Sequence, residues 1–116
     1  MDIYHIWCNL KPGLSDTDFA ENVRAYLGHL QEQSLISGWR LTRRKLGLAP
    51  RELGDFHLMI EIENLAQLDD AFTRVATRTN PVEAVHFAVN SMVTDATFAL
   101  YRDFPDKIRQ RGEERF

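Results

Sequence analysis

The chain has 116 residues, near the common size of a single domain, with 44% hydrophobic and 27% charged residues. A chain of this length and composition can bury a core without metal or disulfide staples. Its net charge of −3 argues against nucleic acid as a partner, and its one cysteine, Cys8, excludes an internal disulfide and any cysteine zinc cluster. No apolar run approaches the length of a membrane span, and no basic leader with an apolar run and cleavage site opens the chain, so a cytoplasmic protein is expected.

In chain order, IYHIWCNL at 3–10 reads as a strand with two faces. Tyr4, Ile6, Cys8 and Leu10 form an apolar row; Ile3, His5, Trp7 and Asn9 form a mixed one, because side chains alternate along a strand. After a turn at Lys11-Pro12-Gly13, Ser15 with Asp18 marks a helix start. Phe19, Val23, Tyr26, Leu27 and Leu30 then give it one apolar face, and Gly38 is the expected C-cap. A second strand is predicted from Trp39, followed by a long polar turn over GLAPRELGD. FHLMIEIE at 56–63 is the third: Phe56, Leu58, Ile60 and Ile62 on one face, His57, Met59, Glu61 and Glu63 on the other.

Asn64 with Gln67 caps a second helix, with Leu65, Leu68, Phe72 and Val75 on its inner side. Asn80-Pro81 with Glu83 predicts a third, its apolar side made by Val82, Val85, Val89 and Met92. TFALYRDF at 97–104 is the last strand, closed by Pro105. The order β-α-β-β-α-(α)-β predicts an α+β, ferredoxin-like domain over 1–106, with a charged tail at 107–116. Its four-stranded antiparallel sheet should carry the helices on one face only.

The apolar rows then belong under the helices, and the mixed rows face outward. That leaves Trp7 and Met59 beside His5, His57 and Glu61 on an uncovered surface, the mark of an interface or groove. Two sheets packed face to face across a twofold axis resolve this, which predicts a homodimer. The stretches YHIW at 4–7, LTRRKLG at 41–47, FHLMIE at 56–61, AVNS at 88–91 and ALYRDFPD at 99–106 carry a resemblance that spans nearly the whole chain. The chain resembles the dimeric α/β-barrel superfamily and, within it, an uncharacterised bacterial family of unknown function. That resemblance implies a homodimer pairing through its sheets, with a ligand cavity on the open sheet face. The superfamily includes monooxygenases acting without a bound cofactor, haem-binding and haem-degrading proteins, and isomerases.

The expected site lies on that face. If paired residue numbers sum to 66, His5 opposes Glu61, Trp7 opposes Met59, and Asn9 opposes His57. A carboxylate holding an imidazole makes a general base, so His5 and Glu61 are the candidate catalytic pair, and a structural pair at a dimer interface is the alternative. Trp7, Asn9, Arg40, Arg44, His57, Met59 and Tyr101 are the candidate substrate-binding residues. Arginine or Asn9 would hold an anion, and Trp7 and Met59 would pack the apolar part. Arg40 and Arg44 could equally be exposed edge charges. His86 and Asn90, four apart on the third helix, could close over the pocket mouth, or merely satisfy a helix end. Metal is not predicted, although His5, His57 and Glu61 form a two-histidine, one-carboxylate set. No cofactor is expected, haem or non-haem iron being the alternatives. RRK at 43–45 lacks interleaved aromatics and is not read as a nucleic-acid patch. The functional expectation is a small-molecule-binding homodimer, and a cofactor-independent enzyme if the His–Glu pair abstracts a proton. The alternative is a non-catalytic binding or regulatory dimer whose face only forms the interface.

Overall fold

Alternation in the first strand and four-three spacing in the first helix both materialise. The structure is a computed structural model that describes residues 1–105. The expected tail at 107–116 lies outside the described residues. The elements are β1 (Asp2–Leu10), α1 (Asp16–Glu32), β2 (Gly38–Arg43), β3 (Phe56–Ile62), α2 (Leu65–Ala76), α3 (Val82–Asn90) and β4 (Val93–Arg102).

Ser15 caps α1, its hydroxyl accepting the Asp18 N–H at 3.2 Å, and Asp16 and Asp18 complement the positive end of the helix dipole. Phe19, Val23, Leu27 and Leu30 are buried along one side. The helix ends earlier than a Gly38 cap requires. Ser34 adopts the left-handed conformation (φ 58°) and its N–H reaches the Gln31 carbonyl, while the Leu35 N–H reaches Leu30 at 2.9 Å. This double closure turns Leu35 back onto the core, and Gly38 instead opens β2.

Asn64 caps α2 through the Gln67 N–H at 2.9 Å. The Gln67 side chain reaches past the cap to the Glu63 N–H at 2.8 Å. The buried side of α2 runs through Leu68 and Ala71, so Leu65 and Phe72, expected inside, are half-exposed at 50% and 48%. At α3 the Asn80–Glu83 box does not form. Pro81 already has helical angles, and the Glu83 and Val85 N–H groups bond to the Thr79 and Pro81 carbonyls. The last strand begins at Val93, four residues before the predicted start.

The strand order is β2-β3-β1-β4, every neighbouring pair antiparallel. This is the split β-α-β plan of a ferredoxin-like fold. Between β1 and β3, Ile3 faces Glu61, His5 faces Met59 and Trp7 faces His57. Asp95 (φ 57°) makes a bulge in β4, shifting its pairing with β1 between Trp7 and Asn9. The core is a single cluster between the sheet and α1, α2 and α3, centred on Phe19, Val23, Leu27, Leu58, Ile62 and Val82. Asp2 is buried at the sheet's end and held by the Arg102 guanidinium, which keeps its carboxyl below the usual range. No helix among the described residues is long and apolar enough to cross a membrane.

Candidate functional site: an aromatic sheet face and an inner chamber

β1, β3, β2 and β4 bring Ile3, His5, Trp7, His57, Met59, Glu61, Arg40, Thr97, Ala99 and Tyr101 to the face away from the helices. Tyr101, expected to join His5, does so: its ring stands edge-on at 5.2 Å. The partner of His5 differs from expectation. Its Nδ1 lies 2.8 Å from His57 Nε2, one ring donating and the other accepting. Trp7 stacks on His57 at 4.4 Å and lies 5.4 Å from His5. Removal from water lowers the pKa of both imidazoles, and His5 lowers that of His57 further.

The His5–Glu61 pair is not formed. The register stands two residues from the expected one, so Glu61 sits opposite Ile3, beside Gly38 and exposed, with no side-chain partner among the described residues. A two-residue slip keeps every side chain on its face, and the alternation pattern therefore could not detect it. The same slip removes Glu61 from the two imidazoles. No group of three or more His, Cys, Asp or Glu among the described residues is placed to hold a metal ion.

Asn9 is committed elsewhere: its Oδ1 accepts the Asp55 N–H at 2.9 Å and its Nδ2 donates to Asp95 at 3.3 Å. Arg44 lies beyond β2 and turns into the following loop, donating to the carbonyls of Pro50 and Leu53. These two residues stitch loop and strand ends together. Arg40 does lie on the open face, opposite Met59, exposed and with no side-chain partner among the described residues.

The open face is a surface, not a hollow. His5, Trp7, His57, Met59, Arg40 and Tyr101 line none of the four principal cavities among the described residues. The widest, about 590 Å³, is an open depression at the sheet's end. There Arg43 pairs with Asp16 at 2.7 Å and Arg44 holds the loop. A different cavity, about 240 Å³, lies between the sheet and the helices. Its wall is mainly apolar, including Ile6, Leu27, Leu58, Ala71, Phe72, Val89 and Phe98.

Four polar side chains interrupt that wall: Tyr4, Tyr26, His86 and Asn90. The Tyr26 and His86 rings lie 5.2 Å apart, and Asn90 follows His86 by one helical turn. None of the four makes a side-chain hydrogen bond among the described residues. Burial, and secondarily the nearby Tyr4 phenol, pushes the Tyr26 hydroxyl up to about 12, so it stays protonated and can donate. Cys8 also lines the chamber, but burial raises its thiol to about 11, leaving it an unreactive small hydrophobe.

A family model described as a family of unknown function, DUF6614, matches residues 1–116. The chain belongs to the DUF6614 family. Nothing among curated proteins matches this DUF6614 chain. Solved structures share its fold. At3g17210 from Arabidopsis thaliana superposes with TM-score 0.69 at 9% identity, covering 93% of this chain and 100% of that one. A dimeric ferredoxin-like protein of unknown function from Jannaschia gives 0.60 at 12% identity, covering 89% and 100%. SnoaB, a cofactor-independent oxygenase from Streptomyces nogalater, gives 0.57 at 13%, covering 93% and 97%.

For this DUF6614 protein, sequence reasoning drew attention to the open face and passed over Tyr4 and Tyr26. Both sit at helix-facing or core-facing positions where an aromatic ring reads as packing. Their hydroxyls were the available signal, because a phenol on a helix- or sheet-facing row needs a hydrogen-bond partner. His86 and Asn90 do share a side and do face a cavity, although it is the chamber under the helices and not a pocket on the open face.

Proposed function

We propose that this DUF6614 protein is a homodimer that binds a small molecule in the chamber of each protomer, its open sheet faces joining the two copies. The observation that carries the reading is a chamber of about 240 Å³ whose apolar wall holds four polar groups without protein partners. An apolar void with hydroxyl, imidazole and amide groups on its wall suits a ligand that brings a polar group together with an apolar body. Tyr26, protonated, donates a hydrogen bond, and the half-buried His86 accepts or relays a proton. Such a site supports proton transfer to a bound molecule, and cofactor-independent chemistry is on record for the similar fold of SnoaB.

The open face fits a dimer interface. Trp7 and Met59 are apolar, one ring nitrogen of His5 bonds to one of His57, and none of the four principal cavities among the described residues opens on that face. The described dimeric state of the similarly folded Jannaschia protein supports a dimer. Proton abstraction by a His5–Glu61 pair loses its basis once Glu61 stands opposite Ile3.

Crystallography under xenon pressure tests both parts, since dry apolar cavities of this kind take up xenon. The expected result is a xenon atom between Leu27, Leu58 and Val89, in protomers whose sheets pack about a twofold axis. An unfilled chamber closed by side-chain collapse overturns the ligand reading; protomers with solvated sheet faces overturn the dimer.

A further inference from the structure

We infer that the chamber is selective for uncharged ligands that carry one hydrogen-bonding group on an apolar body. This deepens the chamber reading and rests on it. Among the described residues, the wall contains no Lys, Arg, Asp or Glu. A carboxylate, phosphate or ammonium drawn into it would lose its hydration and meet no opposite charge. A wholly apolar ligand fits the wall but makes no hydrogen bond to the polar groups.

The polar groups are not scattered. Tyr26 touches His86 through ring contact at 5.2 Å, Asn90 lies one turn further along α3, and the Tyr4 phenol is close enough to act electrostatically on Tyr26. They make one polar end, built by β1, α1 and α3. The lining from α2 and β3 offers Leu58, Ile60, Leu68 and Val75 and no polar side chain. The ligand's hydroxyl or carbonyl is therefore directed to the Tyr26–His86 end, and its apolar body to the remaining aliphatic lining. Size is bounded as well, because 240 Å³ corresponds to about eight water volumes at ~30 Å³ each, which suits a compact one- or two-ring molecule.

Three probes of nearly equal shape separate these terms: naphthalene, 2-naphthol and 2-naphthoate, titrated by calorimetry at pH 8, above the ordinary range of imidazole protonation. The expected order is 2-naphthol tightest, naphthalene about tenfold weaker, and 2-naphthoate at least about thirtyfold weaker than 2-naphthol. Tyr26→Phe should remove most of the advantage of 2-naphthol while leaving naphthalene affinity unchanged. Asn90→Ala, at an exposed helix position, provides a second variant if Tyr26→Phe fails to fold. Affinity for 2-naphthoate within threefold of 2-naphthol overturns the inference while leaving the chamber as a ligand site. An unchanged naphthol-to-naphthalene ratio in both variants also overturns it. Failure of all three probes, naphthalene included, overturns the chamber reading itself.

Discussion

His5 and His57 share a 2.8 Å hydrogen bond with no carboxylate beside it, so the pair is built to be neutral. Partial removal from water lowers both folded pKa values, whereas in the unfolded chain each imidazole returns to about 6.5. Below that value the unfolded chain binds more protons than the folded one. The stability contributed by the pair is thus fully present above pH 6.5 and is lost as pH falls toward the folded values. Urea denaturation should give a lower midpoint at pH 5 than at pH 7.5, and His57→Gln should shrink that difference. An identical pH dependence in the variant would show that the pair is not the source. At this scale the sequence was a fair guide to facing and a poor one to partners. His5, His57 and Met59 share the face that alternation assigned them, and Tyr101, chosen for its phenol, joins them, but which of them touch depends on register.

Helix ends show how local chemistry competes with tertiary demand. Ser15 and Asn64 cap α1 and α2 as their side-chain chemistry dictates, because a cap involves neighbours three residues apart and little else. The end of α1 was not legible, since its left-handed position holds Ser34 where a glycine would be conventional. Burial of Leu35 and Ile36 immediately afterwards forces the chain to turn there. Ser34→Gly should therefore raise stability by about 0.5–1 kcal/mol, read as a higher urea midpoint at unchanged slope. A neutral or lower midpoint would mean that the serine is held by contacts outside the turn. The α2 face shifted for a related reason: Ala71, small enough to bring the helix near the sheet, displaced the larger Phe72 to the chamber wall and the surface.

At the scale of the whole molecule, register is set where the long loop meets β1. Gly54 lies so close to the Cys8 backbone that a β-carbon there would fall 2.4 Å from its carbonyl oxygen. Beside it, Asn9 accepts the Asp55 N–H at 2.9 Å. Gly54→Ala should therefore cost about 1–3 kcal/mol in thermal or urea unfolding, although the site is in a loop. A silent substitution would move the register-setting contact elsewhere. The open face makes a separate prediction: Met59→Arg, placed opposite Arg40, should give folded monomers by size-exclusion chromatography with light scattering. Persistent dimers would put the interface on another surface.

The sequence by itself determined which elements form, their order and the face each central-strand side chain takes. Those follow from short-range periodicities of two and 3.6 residues and from caps that span a single turn. Tertiary structure alone decided the β1–β3 register, because a slip of two residues leaves every face unchanged and so leaves no trace in the pattern. It also decided where the hollow lies. A core-facing tyrosine reads the same whether its ring meets protein or empty space. Only the spacing of α2 and α3 over β1 and β4 leaves Tyr26 and His86 looking into a chamber.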